Sequence, residues 1–287
     1  MAIRLDGDHF GELFDPLNGQ ADLENKIVRV LHPKSFVDDP TRIFRLVRYA
    51  VRYDFEIDPA TWNLVDSAAL NVLAQLSGER LRHEFDLIFE EENASEMLKR
   101  LKKLDVFIVI HPILQTVNVE RLRMLTDKPE EEFGEFLIPD ILSFRQTLGW
   151  ILYLVNLPVA DIEAIAKRLA FPVLLTRAAV GASSLNGNLP SFKDWTPSQW
   201  TFYLDGVPSL AAYALYLMNM GSGFHDYFMI WRNIKPFTTG YTLQQRGLEP
   251  GPKFKEILTR LRAAWLDGEV GNEEEENLLL ERLLSID

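Results

Sequence analysis

Hydrophobic and polar positions fall into two regimes along the chain. Over residues 1–23 they alternate. Ala2-Ile3-Arg4-Leu5 and the stretch from Phe10 to Phe14 flank the turn Asp6-Gly7-Asp8-His9. Asp15-Pro16-Leu17-Asn18-Gly19 makes a second turn. The pattern is strand, turn, strand. An isolated hairpin is marginal in water, so this one reads as the edge of a larger sheet. Its unpaired side is expected to meet another strand, from a separate chain or a second copy. After residue 30 strand signals are few, and apolar residues recur every three or four positions. The spacing predicts helices over Asp39 to Tyr53, Pro59 to Ala74, Glu79 to Glu92 and Ala94 to Leu104, with an apolar run from Val106 to Leu114. Residues 115–140 are polar and Pro-marked, a loop-rich interval. Further helices are expected over Leu148 to Val155, Ala160 to Ala170 and Val173 to Leu185. After a linker from Asn186 to Pro197 come Pro208 to Met220, Phe224 to Ile234, Lys253 to Leu266 and the acidic Glu273 to Leu283. The fold class is mainly α, with a small N-terminal β-hairpin.

Composition narrows the functional classes. The chain has 287 residues, 47% of them hydrophobic, which suffices for a sizeable core and about two modules. There is no Cys, hence no disulfide framework and no thiolate metal site. No apolar run approaches the roughly 20 residues of a membrane span, and no signal peptide follows Met1. A cytoplasmic protein with no membrane partner is expected. The net charge of −12 argues against an indiscriminate nucleic-acid binder. The charge is uneven, however. Lys26, Arg29, Lys34, Arg42, Arg45, Arg48 and Arg52 form a basic stripe opposed locally by Asp38 and Asp39 alone. The C-terminal segment reverses this, with Asp267, Glu269, Glu273 to Glu276, Glu281 and Asp287 facing Arg282.

The stripe sits on one predicted helix. Asp38-Asp39-Pro40-Thr41 supplies a start signal, and Arg42, Arg45, Arg48 and Arg52 then share one face. The simple account is a capped amphipathic helix with a solvated basic face. Four arginines with no lysine also suit phosphate and base edges, because guanidinium is a planar fork of donors. Asp39 and Arg42 lie one helical turn apart. A carboxylate only accepts hydrogen bonds, and a guanidinium only donates. Cytosine and adenine each set an exocyclic amine beside a ring-nitrogen acceptor; uracil and guanine set a carbonyl beside a ring N–H. The pair therefore complements C and A and meets U and G with like facing like. Each unsatisfied group costs roughly 1–3 kcal/mol. Whether Asp38 or Asp39 caps the helix is open, and a capping Asp39 is less free to read a base.

Three motifs then carry a resemblance. Asp15-Pro16-Leu17-Asn18-Gly19-Gln20-Ala21-Asp22-Leu23 resembles the D-P-x-x-G-x-x-D-L turn of class II tRNA nucleotidyltransferases and bacterial poly(A) polymerases. Asp38-Asp39-Pro40-Thr41-Arg42 resembles their E-D-x-x-R template motif, with Asp in first place instead of Glu. Ser77-Gly78-Glu79-Arg80-Leu81-Arg82-His83-Glu84 is similar to the S-x-E-R-x-x-x-E motif that braces it. Order and spacing agree. The resemblance implies a division into a hairpin remnant of the palm (1–23), a base-selecting neck (24–92), a body (93–185) and an RNA-binding tail (186–287). It implies Asp39 and Arg42 at the nucleotide base. Arg45, Arg48, Arg52 and Lys253 would serve phosphate or RNA, and Glu79, Arg80 and Glu84 would support the template helix. Substrates would be ATP and CTP, with Mg2+ in the intact enzyme, and the partner the acceptor end of tRNA.

The family's Gly-Gly turn, Asp-x-Asp metal pair and R-R-D-F-T-x-N-A motif are not in this sequence. The expected reading is base selection and tRNA binding without the catalytic carboxylates. Such a chain would be inactive alone and would need a palm supplied by another chain or by further sequence. The alternatives are a non-catalytic RNA-binding module and an inactive structural fragment. Asp6 and Asp8 have metal-pair spacing but lie in a turn, where Asp is favoured anyway. Gly247-Leu248-Glu249-Pro250-Gly251-Pro252-Lys253 reads either as a phosphate-binding helix start or as a Pro-marked turn. His225-Asp226, His32, His83 and His111 read as structural. The Glu273 to Glu276 run reads as a solvated helix start.

Overall fold

The computed structural model describes residues 1–285, apart from the side chains of Glu132 and Pro190. The chain is mainly helical and divides into two compact units. One comprises Met1–Asp127 with Ile138–Thr176, and the other Lys128–Leu137 with the chain from Arg177 onward.

The first unit opens with the hairpin. Strand β1 (Ala2–Ile3) pairs antiparallel with β2 (Leu13–Phe14), Ala2 opposite Phe14 and Ile3 opposite Leu13. Both faces carry exposed apolar side chains, among them Ile3, Leu5, Phe10 and Phe14. The second turn does not simply end the hairpin. Asn18 adopts the left-handed conformation, the Gln20 amide donates to Asp15 Oδ2 at 2.7 Å, and helix α1 (Gly19–Glu24) follows. Strand β3 (Ile27–Val28) pairs in parallel with β4 (Glu56–Ile57), a pair too short to show a sequence period. Between them lie α2 (Ser35–Asp38) and α3 (Arg42–Arg52).

Helix α3 buries Ile43, Phe44, Leu46, Val47 and Ala50 completely or nearly so. Each large apolar side chain so buried contributes roughly 1.5–3 kcal/mol. The expected Pro59 to Ala74 helix is two, α4 (Pro59–Asn63) and α5 (Ser67–Ala74). Asp66 causes the break: its carboxylate accepts from the amides of Ala68 and Ala69 and starts a new helix. Helix α6 (Gly78–Phe89) is capped by Ser77 and sends Leu81, Phe85, Ile88 and Phe89 inward. Gly78 lies against the backbone of Arg168 and Ala170, where no Cβ would fit. The Arg168 guanidinium donates to the carbonyls of Ala74 (2.8 Å) and Leu76 (3.1 Å), which fixes the start of α6.

Helices α7 (Ala94–Lys103) and α8 (Val106–Ile110) pack on α3 and α5 respectively, and α9 (Phe144–Leu154) on α6. Rings of Phe44, Phe85, Phe89, Phe107 and Trp150 form the centre, Phe85 and Trp150 with centroids 5.0 Å apart. Trp150 Nε1 donates to the buried Asp86 at 2.7 Å. Burial pushes the Asp86 carboxyl up to about 6, against the pull of that bond and of Arg82. Helix α10 (Val159–Arg168) completes this unit, and α11 (Val173–Asn188) carries the chain onward.

The second unit is built on α12 (Pro197–Asp205), α13 (Ser209–Leu217), α14 (Ser222–Met229), α15 (Gly240–Gln245), α16 (Pro252–Leu266) and α17 (Glu273–Ser285). Helix α12 falls where a linker was expected to end. Thr196 and Gln199 form a reciprocal capping box around Pro197, a legible start signal. Phe133, Tyr213, Tyr216 and Phe228 make one aromatic cluster, and Leu243, Ile257, Leu261 and Leu280 another apolar one. Glu276 corrects the solvated reading of its Glu run. It is 1% exposed, and its carboxylate accepts the amides of Phe237 (2.9 Å) and Thr238 (2.6 Å) and Nε1 of Trp265. Burial alone would raise this carboxyl; the bonds from Thr238, Trp265 and Phe237 outweigh it and hold it below the usual range.

Candidate functional site

The turn from Asp39 to Thr41 sets the geometry at the start of α3. Asp39 is extended (φ −148°, ψ 97°), and the Arg42 amide donates back to its carbonyl at 3.1 Å. Asp39 Oδ1 accepts from the Thr41 amide at 3.2 Å and from Thr41 Oγ1 at 2.7 Å. Asp38 faces His32 instead, at 3.9 Å. Neither Asp38 nor Asp39 caps α3, because Thr41 takes that position without a side-chain cap bond, and Asp39 gives only one carboxylate oxygen to the preceding turn. Oδ1 serves the turn, while Oδ2 lies 4.0 Å from Arg42 Nε. Neither side chain is sealed: Asp39 is 31% and Arg42 40% exposed. Arg42 Nη1 is occupied by Ser35, donating to Oγ at 2.9 Å and to the carbonyl at 3.4 Å. That leaves the Nε–Nη2 edge of the fork beside the outer oxygen of Asp39. Acceptor and donor edges are therefore held side by side, each fixed from behind. Thr41 and Ser35, which do the fixing, were not singled out from sequence.

The other expected site residues divide. Arg80, half-exposed on the first turn of α6, reaches Asp39 Oδ1 at 3.4 Å. Glu84, one turn further, is buried and lies 3.7 Å from Arg48 Nη1. Burial raises the Glu84 carboxyl, and the Arg48 charge opposes the rise. Glu79 is exposed and makes no hydrogen bond or ion pair among the described residues. Along α3, Arg45 is exposed and likewise unengaged.

Arg48 and Arg52 have a partner that local sequence does not reveal. Glu91, just past α6, accepts from Arg48 Nε (3.4 Å), Arg52 Nε (3.0 Å) and Arg52 Nη2. Arg48 is only 11% and Glu91 12% exposed. Burial would raise the Glu91 carboxyl, but the hydrogen bonds from Arg52 and then Arg48 hold it below the usual value. The same bond holds the Arg52 guanidinium still more firmly protonated. The basic stripe is therefore graded: Arg42 half-engaged, Arg45 open, Arg48 and Arg52 tied to α6. Lys253 lies in the second unit, on the first turn of α16 behind the uncapped Gly251.

Among the described residues no three His, Cys, Asp or Glu side chains come together as a metal site. Asp6 is engaged by Arg4 at 2.7 Å, and His225 with Asp226 at 3.2 Å. No helix of the described residues is long and apolar enough to cross a membrane.

Known proteins resemble the chain over most of its length. Residues 54–118 match the family model described as "Probable RNA and SrmB- binding site of polymerase A". The chain is 28% identical over 281 residues to an A-adding tRNA nucleotidyltransferase of Halalkalibacterium halodurans, covering 96% of this chain and 63% of that protein. Among solved structures, it is similar to the CCA-adding enzyme of Thermotoga maritima complexed with tRNA (26% identity, TM-score 0.74, 99% of this chain and 70% of that one). It is also similar to a CCA-adding enzyme in complex with ATP (26% identity, TM-score 0.77, 99% and 69%). The chain belongs to the class II CCA- and A-adding tRNA nucleotidyltransferase family. It spans less than two thirds of the curated relative it matches.

Proposed function

We propose that this chain selects C or A for addition to a tRNA 3′ end and grips the acceptor end of the RNA. Residues 24–92 act as the selecting neck, 93–185 as the body and 186–287 as the RNA-gripping tail. Asp39 accepts the exocyclic amine of the incoming base, and the Nε–Nη2 edge of Arg42 donates to its ring nitrogen. Arg45 meets phosphate directly. Arg48, Arg52, Arg80 and Glu84 hold the template helix in place, Arg48 and Arg52 toward the phosphate side, and Lys253 supplies a phosphate contact in the tail. ATP and CTP are the substrates. Two-metal phosphoryl transfer needs carboxylates that bridge the metal ions to the reacting oxygens. The motifs that hold those metals in the family are not in this sequence, so under this proposal the transfer step is left to other residues.

One observation carries the reading: Asp39 Oδ2 and Arg42 Nε stand 4.0 Å apart, both partly exposed, with the rest of each group already engaged. The test is calorimetric titration of the chain with ATP, CTP, GTP and UTP. ATP and CTP should bind more tightly than GTP and UTP, by about tenfold or more, since each mismatched group costs roughly 1–3 kcal/mol. Asp39→Ala and Arg42→Ala should each erase the preference. Equal binding of all four nucleotides, or no binding of any, overturns it.

A further inference from the structure

The second unit carries a cavity that the base-selecting pair does not touch. It has a volume of about 650 Å3, within the roughly 300–1,000 Å3 typical of ligand sites. Its walls are apolar: Phe202, Pro236, Phe254 and Leu258. Its charged lining is all cationic, Lys235, Lys255 and Arg262, with no acidic residue. In a chain of net charge −12 that is an unusual concentration. Arg262 is structural, since it donates to Asp205 Oδ2 at 2.6 Å and to the Ile234 carbonyl at 2.9 Å. Its guanidinium lies 5.8 Å from the ring of Phe202, which fixes that ring at the wall. Lys235 and Lys255 are exposed and make no hydrogen bond or ion pair among the described residues. Two ammonium groups without counter-ions thus border a pocket walled by two aromatic rings.

We infer that this cavity binds a nucleotide, with the base against Phe202 and Phe254 and the phosphate on Lys235 and Lys255. The chemistry follows from the lining. A flat aromatic ligand gains roughly 1–3 kcal/mol per base by stacking on a ring, while compact ammonium groups suit a phosphate oxygen. Thr259 in the lining offers a hydroxyl to a ribose, whereas the Thr239 hydroxyl is engaged with Thr242 at the start of α15. The inference does not depend on Asp39 and Arg42, which lie in the other unit.

The test uses the full chain carrying Asp39→Ala and Arg42→Ala, so that the first site is silenced. It is titrated with AMP, ribose 5-phosphate, inorganic phosphate and a short single-stranded RNA. AMP or the RNA should bind, and Lys235→Glu with Lys255→Glu should weaken that binding about tenfold or more, as loss of charge-assisted bonds requires. For RNA, the logarithmic salt slope should flatten by about 1.4, two contacts at roughly 0.7 each. Saturation by AMP identifies a free nucleotide as the source; saturation by RNA alone identifies a unit of a strand. Inorganic phosphate binding as tightly as AMP overturns the inference, because the rings then contribute nothing. So does binding that ignores the two lysine substitutions, or no binding of any probe. Both lysines are exposed, and unchanged circular dichroism of the variant guards against misfolding.

Discussion

Replacing Glu91 with glutamine keeps the shape of the side chain and removes its charge. Oε1 receives Arg48 Nε and Arg52 Nη2, while Oε2 receives Arg52 Nε. An amide keeps two of these bonds by placing its oxygen at Oε1, and turns a donor toward Arg52 Nε. Hydrogen bonds to charged groups contribute roughly 1.5–3 kcal/mol against about 0.5–1.5 for neutral ones. The Arg52 share must be discounted, because that side chain is 39% exposed and solvent screens it. The Arg48 share stands nearly whole. We expect a loss of about 2 kcal/mol for Glu91→Gln. Glu91→Ala should cost about 3 kcal/mol, since Arg48 then faces Glu84 alone at 3.7 Å. Urea unfolding at pH 7 reads both values, with an unchanged slope marking an unchanged mechanism. Glu92→Gln, at an exposed neighbour, is the control and should stay within about 0.5 kcal/mol. Acid adds a second readout. The folded Glu91 carboxyl lies below the ordinary glutamate value, so the stabilisation is complete above that ordinary value and is lost as pH falls through the folded one. The gap between wild type and Glu91→Gln should therefore close in acid. A Glu91→Gln protein as stable as the wild type at pH 7 would refute the account of this cluster.

Three further perturbations probe other parts of the fold. Glu276→Gln should destabilise the second unit by about 2 kcal/mol, because three donors, that of Thr238 buried and the other two part-buried, meet one amide, whereas exposed Glu274→Gln should change little; Trp265 fluorescence during unfolding distinguishes them. Asp86 binds its proton more tightly folded than unfolded, so stability should fall as pH rises from about 4 to 6, by at most about 3 kcal/mol; Asp86→Asn should flatten that dependence in urea titrations at the two pH values. Gly78→Ala would set a methyl group against the backbone of Arg168 and Ala170, and a thermal melt should show a loss of about 2 kcal/mol or more.

Much of this was legible in the sequence where a single element decides the outcome. The phase of α3 was readable because Ile43, Phe44, Leu46, Val47 and Ala50 recur at helical spacing and bury on one side. The nearness of Asp39 and Arg42 was expected from one helical turn, but α3 begins at Arg42 and Asp39 is extended, so the turn through Pro40 and Thr41 brings them together instead. Pairing across elements was not readable. Glu90-Glu91-Glu92 looks like any solvated helix end, and nothing local says that Glu91 meets arginines 39 and 43 residues earlier. Glu276 was misread for the same reason, its partners Phe237 and Thr238 being 39 and 38 residues away. Helix α12 is a different kind of miss. Its Thr196-Pro197-Ser198-Gln199 start obeys a local rule, but the surrounding Gly, Pro and Trp residues suggested a linker.

Under the proposed function, the double grip of Thr41 on Asp39 bears on speed as well as on fidelity. A surface carboxylate usually samples several rotamers, and freezing such a side chain on association costs roughly 0.5–1.5 kcal/mol. Here the amide and hydroxyl of Thr41 have already frozen it. Whatever ligand meets Asp39 finds a preorganised acceptor, so recognition demands no rearrangement of this loop and should weaken little on warming.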